Sequence, residues 1–250
     1  KKNALVAEDS EVNQIVIKQI LLKYGFDVNI AKDGVEALQL ARTGKYDIIF
    51  MDIQMPNLDG YEATKRIRDL EINIPIIAVS AAVLPEDKEN SLNAGMDNHI
   101  RKPIDKVELL NEISKYFEFV QKEDNVEKEI TINSLDLKFI PIKNLIKELN
   151  ISENEAYILL QNFAHSNLNF AEDIKSLDYY SKEFKASIHK LKGSCGNLKI
   201  DELYNLCVDV EESKKQFLSV PLNLLIDKLK ECVKEIESKI DNYQSLLDHH

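Results

Sequence analysis

The chain has 250 residues, of which 30% are charged, and its formal net charge is -11. This length is sufficient for one or two domains that each bury a core. The acidic balance argues against a nucleic-acid-binding protein, because neutralising phosphates requires clustered Lys and Arg side chains. No apolar run approaches the ~20 residues of a membrane-spanning helix, and no signal peptide opens the chain.

The ends of the chain and its cysteines indicate its origin and its cellular compartment. The chain begins Lys1-Lys2 without Met and ends His249-His250, so we expect an excised piece of a longer protein with a tag remnant at 249–250. The expected location is the cytoplasm, with membrane attachment of the parent left open. Three cysteines lack zinc-ligand spacing and occupy apolar helical positions, which predicts reduced core thiols: Cys195, Cys207 and Cys232.

Strand-like and helix-like segments alternate five times in the first half of the chain. Apolar runs and alternation predict strands at 3–7, 26–30, 48–52, 75–80 and 98–101. Helical spacing predicts helices at 12–24, 34–42, 61–70, 86–94 and 107–117. The alternation predicts an α/β domain with a doubly wound parallel sheet, whose ligands bind beyond the carboxyl ends of the strands.

Five polar residues fall at those strand ends: Glu8, Asp9, Asp52, Ser80 and Lys102. Three carboxylates at one place repel one another when ionised, so a divalent cation is expected between Glu8, Asp9 and Asp52. Mg²⁺ suits such hard oxygen ligands and can hold a phosphoryl oxygen. Asp52, which ends a buried apolar strand, is the expected nucleophile for transfer of a phosphoryl group onto a carboxylate.

The stretch 48–60 reads IIFMDIQMPNLDG. Its order of Asp52, Met55-Pro56 and Asp59-Gly60 resembles the phosphoacceptor segment of bacterial two-component receiver domains. The resemblance implies a flavodoxin-like (βα)5 fold, with Asp52 as the residue that a kinase phosphohistidine phosphorylates.

The same resemblance assigns roles to the other residues at the strand ends. It implies that the backbone carbonyl of Gln54 completes the protein ligands of Mg²⁺. Lys102 would neutralise the phosphoryl oxygens, the Ser80 hydroxyl would donate to one of them, and Ala81-Ala82 would leave room for it. This sequence departs from the family at His99, where receivers usually carry a Tyr or Phe that moves on phosphorylation.

Other interpretations of the first half are weaker. Dinucleotide binding needs a glycine-rich turn after the first strand, and the stretch 7–11 contains no glycine. An aspartate-nucleophile phosphatase places two aspartates two residues apart after that strand, which this stretch also lacks. Taken singly, Glu8 and Asp9 could cap the following helix, and Lys102 could be a solvated loop lysine.

The second half is predicted to be helical. A charged tether at 119–135 precedes it. A short helix is expected at 144–149. Ser152 and Glu155 form a capping box for a long helix whose core positions run from Ala156 to Leu177. Further helices are expected from about Lys182, around 203–210, and from Pro221 to Tyr243. Short connections between them predict an antiparallel bundle.

One of these helices carries His189-Lys190-Leu191-Lys192-Gly193-Ser194, which resembles the phosphohistidine motif of histidine-containing phosphotransfer (HPt) domains. His189 lies about 130° from the centre of the apolar stripe, at ~100° per residue, and is predicted to point into solvent. Gly193 would give a partner room, Lys192 would offset phosphoryl charge, Ser194 would line the site, and Glu211 would lie near it. A neutral imidazole is nucleophilic near pH 7.

Another histidine of the second half, His165, has Asn and Ser neighbours and is expected to be ordinary solvated surface. The sequence thus predicts a phosphorelay module: receiver 1–118, linker 119–135 and HPt bundle 136–248, from a hybrid sensor histidine kinase. No ATP-binding kinase core is visible. The expected partners are a histidine kinase core and a downstream response regulator. The alternative is a receiver that controls a partner-binding bundle allosterically, without phosphotransfer within the chain.

Overall fold

The computed structural model describes residues 1–80, 85–118, 137–149, 151–214 and 217–247. The chain divides into two compact units, Lys1–Glu127 and Lys128–His250. The predicted tether at 119–135, the predicted role of Ala81-Ala82 and the terminal His249-His250 fall outside the described residues. Within the described residues, no helix combines the length and the apolar composition needed to cross a membrane.

The first unit contains a five-stranded sheet in which every pairing is parallel and the order is β2-β1-β3-β4-β5. Its strands are β1 (Lys2–Ala7), β2 (Phe26–Ala31), β3 (Ile48–Asp52), β4 (Ile76–Ser80) and β5 (Asn98–Arg101). Its helices are α1 (Glu11–Lys23), α2 (Gly34–Ala41), α3 (Gly60–Asp69), α4 (Pro85–Asn93) and α5 (Lys106–Ile113). The predicted flavodoxin-like α/β fold is confirmed.

Burial explains why these strands form. Every residue of β3 and β4 is buried, as expected for central parallel strands with both faces covered. Strand β2 lies at the edge, and its two exposed residues, Asp27 and Asn29, stand between buried or half-buried neighbours. In the register, Asp52 pairs with Val79 and Ala7 pairs with Met51. Because parallel strands end at the same edge, this register brings the residues after β1, β3 and β4 together.

Helix ends in this unit follow local capping chemistry. Asp33, Asp59 and Asp105 each accept a hydrogen bond of 2.8 Å from the backbone N–H three residues on, at the start of α2, α3 and α5. The last helix is shorter than predicted and ends at Ile113. Ser114 at its C-cap donates its hydroxyl to the Asn111 carbonyl, which competes with continued helical bonding.

The second unit is helical throughout its described secondary structure. Its helices are α6 (Ile142–Leu149), α7 (Glu153–Asn167), α8 (Phe170–Ser176), α9 (Lys182–Asn197), α10 (Asp201–Glu212) and α11 (Ser219–Leu247). The predicted capping box is present: the Ser152 hydroxyl accepts from the Glu155 N–H at 3.2 Å, and the Glu155 carboxylate accepts from the Ser152 N–H at 2.7 Å.

The prediction of one long helix after Ser152 is wrong, because the structure breaks it into α7 and α8. The Asn167 side chain donates to the Phe163 carbonyl at 2.7 Å, and Asn169 caps α8 with a non-helical backbone. Asparagine side chains compete in this way with helical bonding. Leu177, predicted as a core position of that helix, lies after α8 and is only half-buried.

The core of the helical unit matches the predicted apolar stripes. Helix α9 packs on α10, and α11 packs on both α7 and α10. The three cysteines are buried and form no disulfide. Burial raises the pKa of the Cys195 thiol and brings that of Cys232 to about 12, so these thiols act as core side chains. Tyr243 lies outside the residues whose side chains are described.

Candidate functional site

Three ionisable side chains meet at the carboxyl edge of the sheet. The Lys102 Nζ atom donates to Asp52 Oδ2 at 2.6 Å and lies 2.7 Å from Glu8 Oε2. All three side chains are almost entirely buried. Burying such charges is costly unless they are paired, and here one ammonium lies between two carboxylates.

Glu8 is held by its own loop as well as by Lys102. Its Oε1 atom accepts from the Ser10 N–H at 3.1 Å and from Asn13 Nδ2 at 2.9 Å. The Gln14 side chain donates to the Glu8 backbone carbonyl at 2.7 Å. The sequence analysis missed Asn13 and Gln14. A signal was available, since both are polar residues in the first two turns of a helix that starts at the predicted site.

The charges of this cluster alter one another's titration. Burial, together with the Glu8 and Asp9 carboxylates, raises the pKa of Asp52 to about 7, although Lys102 acts in the opposite direction. Burial opposes the charged form of Lys102, but the Asp52 and Glu8 carboxylates outweigh it and raise the Lys102 pKa. The cluster therefore has more carboxylates than ammonium groups, and a bound cation would reduce the repulsion between them.

The donor set suits a hard divalent cation. Glu8, Asp9 and Asp52 each offer a carboxylate oxygen, and these atoms lie within 4.8 Å of one another. Three carboxylates so placed match the oxygen-only preference of Mg²⁺. The Gln54 N–H donates to Asp52 Oδ1 at 3.1 Å, which places Gln54 beside the cluster. The role of its carbonyl as a further ligand stays a prediction.

The loop after β3 is fitted tightly against Asp52. A Cβ atom on Gly60 would lie 2.2 Å from the Asp52 carbonyl oxygen, and one on Gly34 would lie 2.2 Å from the Leu58 carbonyl oxygen. Asn57 adopts a positive φ of 63° and donates to Asp33 Oδ2 at 2.6 Å. The close approach of two backbone segments at Gly60 fixes where the Asp52 side chain starts.

The Ser80 hydroxyl has a partner that the sequence analysis did not foresee. Its Oγ atom lies 2.6 Å from His99 Nε2, in a hydrogen bond between the last residue of β4 and the second residue of β5. Ser80 is buried and His99 is half-buried. His99 occupies the position where the resemblance expects a Tyr or Phe, so the departure from the family bears directly on the site.

The family model described as response regulator receiver domain matches residues 4–114. These residues are a response regulator receiver domain. The match includes most of β1 and all of the other strands and helices described in the first unit, with the edge that holds Asp52 and Lys102.

This receiver is homologous to the receivers of hybrid histidine kinases. The chain is 45% identical over 146 residues to hybrid signal transduction histidine kinase I of Dictyostelium discoideum, which covers 53% of this chain and 8% of that protein. It is 26% identical over 247 residues to sensor protein EvgS of Escherichia coli (strain K12), which covers 96% of this chain and 19% of that protein. The chain thus spans at most 19% of the length of these two relatives.

A solved structure with similar sequence is the receiver domain of sensor histidine kinase PA1611 from Pseudomonas aeruginosa PAO1, in which a magnesium ion is coordinated in the active site cleft. That receiver is 40% identical to this one, and the match covers 46% of this chain and 96% of that chain with a TM-score of 0.44.

In the helical unit, His189 lies on α9 and is less exposed than predicted. The ring is half-buried, and its Nε2 atom is covered from solvent. Gly193, Gly196 and Asn197 lie on the same side of the helix as His189 and are buried, since α10 packs against α9. The prediction of a solvent-facing imidazole was wrong because glycines carry no apolar signal, so the buried arc of α9 is wider than its apolar stripe. His165 is exposed, as expected.

The other predicted residues of this helix lie close to His189 along the chain. Lys192 on α9 forms an ion pair with Glu211 on α10, and its side chain is 12% exposed. Ser194 is buried and donates its hydroxyl to the Lys190 carbonyl at 3.1 Å. The prediction put Glu211 near the histidine. The structure brings it to Lys192, one helical turn from His189.

Proposed function

We propose that the receiver domain accepts a phosphoryl group on Asp52 from a phosphohistidine. The observation that carries the proposal is the pairing of Asp52 with the buried Lys102 ammonium at 2.6 Å, inside a cluster that also contains Glu8 and Asp9. A buried carboxylate at a strand end, with a cation already placed for developing negative charge, is arranged for phosphoryl transfer rather than for packing.

In this step an Asp52 carboxylate oxygen attacks phosphorus, an O–P bond forms, and the P–N bond to the donor imidazole breaks. The leaving imidazole keeps the electron pair of that bond and departs as a neutral ring, because its other nitrogen already carries a proton in the phosphohistidine. Lys102 would form an ion pair with the transferred phosphoryl oxygens, and the Ser80 hydroxyl would donate to one of them. Mg²⁺, held by Glu8, Asp9, Asp52 and the Gln54 carbonyl, would neutralise the charge that accumulates on the phosphoryl oxygens.

We infer that the helical unit is an HPt domain and that His189 is its phosphorylated residue, with Lys192, Gly193 and Ser194 around it. The motif on α9 supports this inference. The alignment with EvgS of Escherichia coli extends over 96% of the chain, so that sensor protein has a counterpart of both units in the same order. The parent would then be a hybrid histidine kinase, with a kinase core and a downstream response regulator as partners.

One observation favours the alternative of allosteric control without phosphotransfer within the chain. The His189 Nε2 atom is covered from solvent, so an acceptor at that atom must first be uncovered. Under the alternative, phosphorylation of Asp52 changes the affinity of the helical unit for a partner, and His189 never carries a phosphoryl group.

Intact-mass spectrometry of the whole chain tests both ideas. The protein is incubated with acetyl phosphate, with Mg²⁺ or with EDTA, as wild type, Asp52→Asn and His189→Gln. The exposed His165→Gln serves as a matched histidine control. We expect one adduct that needs both Mg²⁺ and Asp52. We also expect an acid-labile, base-stable phosphohistidine that is present in His165→Gln and absent from both Asp52→Asn and His189→Gln.

The outcomes separate the two functions. An adduct confined to Asp52, unchanged in His189→Gln, favours the allosteric alternative. Absence of an adduct on every variant, with a phosphorylated kinase also failing to transfer, overturns phosphoacceptance by Asp52. Asp9→Asn should weaken the Mg²⁺ requirement or abolish the adduct, and an unchanged Mg²⁺ dependence would remove Asp9 from the metal site.

A further inference from the structure

The Ser80 hydroxyl, which the proposed function assigns to the phosphoryl group, is already hydrogen-bonded elsewhere. Its Oγ atom lies 2.6 Å from Nε2 of His99 on the neighbouring strand. Ser80 follows Val79, which is paired with Asp52 in the sheet register, so the hydroxyl lies at the edge that holds the reacting carboxylate. A hydroxyl has a single proton, and it cannot be donated fully to both the imidazole and a phosphoryl oxygen.

The surroundings of His99 indicate the direction of this hydrogen bond. Ser91 donates its hydroxyl to the Asp87 carbonyl at 2.8 Å, and its Oγ atom lies 3.4 Å from His99 Nδ1. With its proton used on the carbonyl, Ser91 Oγ is an acceptor for Nδ1–H. The neutral imidazole then carries its proton on Nδ1, and Nε2 accepts from the Ser80 hydroxyl.

The backbone of Ser80 is held by hydrogen bonds of the sheet, so we expect the side chain to be the part that responds. The Lys102 N–H donates to the Ser80 carbonyl at 2.7 Å, and β4 is paired with β3 and β5. A redirected Ser80 hydroxyl therefore requires rotation of its side chain and loss of the bond to His99. Losing this hydrogen bond makes phosphorylation of Asp52 less favourable.

We propose that His99 is a positioning residue that withholds the Ser80 hydroxyl from the Asp52 site while the imidazole is neutral and releases it when Nε2 is protonated. This proposal rests on the proposed function of Asp52 as the phosphoacceptor. A protonated Nε2 is a donor, so it no longer accepts the hydroxyl proton, and Ser80 becomes able to donate to a phosphoryl oxygen.

Two charged groups act on this imidazole, and a third titratable group bonds to the neighbouring Ser91. Asp87 and Lys88 come from α4, and Tyr61 comes from α3, where it bonds to Ser91. Burial lowers the pKa of His99 from its ordinary value, Asp87 acts in the opposite direction, and Lys88 lowers it further. Because the pKa is lowered, the neutral form that withholds the hydroxyl already dominates at the usual pKa of histidine, and release grows as the pH falls below that value.

The test uses beryllofluoride with Mg²⁺ as a phosphoryl mimic, and its affinity for the whole chain is measured between pH 8 and pH 5.5. His99→Phe removes the acceptor, and we expect about fivefold tighter binding than wild type at pH 8, the effect of one ordinary hydrogen bond. As the pH falls, the ratio of the two affinities should approach one. The titration of Asp52 is common to both proteins and cancels in the ratio.

Two further variants show whether His99 acts through Ser80. In a Ser80→Ala background, His99→Phe should leave the affinity unchanged, because no hydroxyl is left to release. His99→Gln keeps an acceptor that does not titrate, so it should bind like wild type at pH 8 and show no release at low pH. Circular dichroism of each variant checks that the fold is retained, and His99→Gln carries the test if His99→Phe does not fold.

Nitrogen NMR of the His99 ring gives a readout that needs no phosphoryl mimic. We expect an unprotonated Nε2 at pH 8 whose shift changes in Ser80→Ala. The proposal is overturned by a protonated Nε2 at that pH, by an affinity ratio that is flat with pH, or by an equal effect of His99→Phe with and without Ser80. Failure of wild type to bind beryllofluoride at all would overturn the phosphoacceptor function itself, which distinguishes the two failures.

Discussion

The two candidate phosphoryl acceptors lie in opposite kinds of surroundings. Asp52 is buried at the meeting point of three strand ends, and Lys102 reaches it from 50 positions further along the chain. His189 lies in the middle of helix α9. Three residues further along the same helix, Lys192 forms an ion pair with Glu211 on α10. The first site is assembled by the fold, whereas the second is assembled by a single helical turn and one cross-helix ion pair.

This difference predicts which substitutions should damage each site. Since the Asp52 site depends on backbone segments that approach within van der Waals contact, small changes of shape should damage it. Its buried charges also make it costly to the folded state in the absence of a cation. We expect the His189 site to store little energy in its charges, because it has one ion pair, Lys192 with Glu211, and Glu211 is still 31% exposed. Substitutions there should alter chemistry more than stability.

The largest effect is expected for Gly60→Ala. The new Cβ atom would meet the Asp52 carbonyl oxygen at 2.2 Å, so the backbone of β3 or of the following loop must move. We expect a loss of at least about 2 kcal/mol in the free energy of unfolding, measured with urea, and loss of Mg²⁺-dependent beryllofluoride binding.

Gly44→Ala is the matched control for this change. Gly44 has a positive φ of 66°, but no atom lies within 4 Å of the position of a new Cβ. We expect a cost of about 1 kcal/mol from the backbone alone, with the Asp52 site intact. If Gly60→Ala costs no more than Gly44→Ala, the close fit of the loop against Asp52 is not what positions the acceptor.

An intermediate effect is expected for Asp52→Asn without metal. The pKa of Asp52 is raised to about 7 in the folded state, against an ordinary value of 3.8, so its ionisation destabilises the folded state. Asp52 does not lower the free energy of unfolding below pH ~4, where it is protonated in both the folded and the unfolded state. The free energy of unfolding falls as the pH rises from there through 7. Asp52→Asn should therefore be more stable than wild type at pH 8, by about 2 kcal/mol, and the difference should vanish near pH 4.

Asp47→Asn provides a control of opposite sign. The Asn3 N–H lowers the pKa of Asp47 through a hydrogen bond of 2.8 Å, with Lys2 adding to it. Asp47→Asn should destabilise the protein at neutral pH, and the difference should disappear as the pH falls below the lowered pKa. Urea unfolding in EDTA at several pH values measures both variants. A less stable Asp52→Asn at pH 8 would mean that the Lys102 pairing outweighs the repulsion.

The two sites also differ in how far the sequence predicts them. The order of strands and helices follows from the apolar runs. The polar residues that end these runs predicted the cluster of Glu8, Asp9, Asp52 and Lys102. The partners that hold these groups were not predicted. Asn13 and Gln14 were a local signal that went unused, whereas the bond between Ser80 and His99 joins residues 19 positions apart. Sequence spacing predicts which residues share an edge, but not which of them bond there.

In the helical unit, the sequence predicted the local helical features but not how the helices are interrupted and covered. Its core positions and capping box were predicted, since helical periodicity is a strong local signal. The break between α7 and α8 was missed because it depends on the side-chain hydrogen bond of Asn167 and the non-helical backbone of Asn169, and a pattern of apolar residues contains neither. The burial of the His189 ring was missed because Gly193 and Gly196 allow a neighbour to approach without any apolar side chain.

The smallest change in stability, and the sharpest probe of the second site, is expected for Glu211→Gln. This variant leaves Lys192 without its ion-pair partner, so the ammonium becomes available to a phosphoryl group on His189. We expect less than about 1 kcal/mol of lost stability, since Glu211 is 31% exposed, and a rise of about two- to fivefold in phosphohistidine at equilibrium. Lys192→Gln should lower the phosphohistidine instead.

Glu202→Gln is the matched control on the same helix, because Glu202 pairs with Lys228 at 3.4 Å on α11 and is more exposed than Glu211. It should leave the phosphohistidine level unchanged. Base-stable phosphorylation measured by mass spectrometry after equal incubation compares the variants. If Glu211→Gln and Lys192→Gln change it in the same direction, the pair acts only through packing of α9 on α10. Opposite directions instead place the Lys192 charge beside the phosphorylated ring.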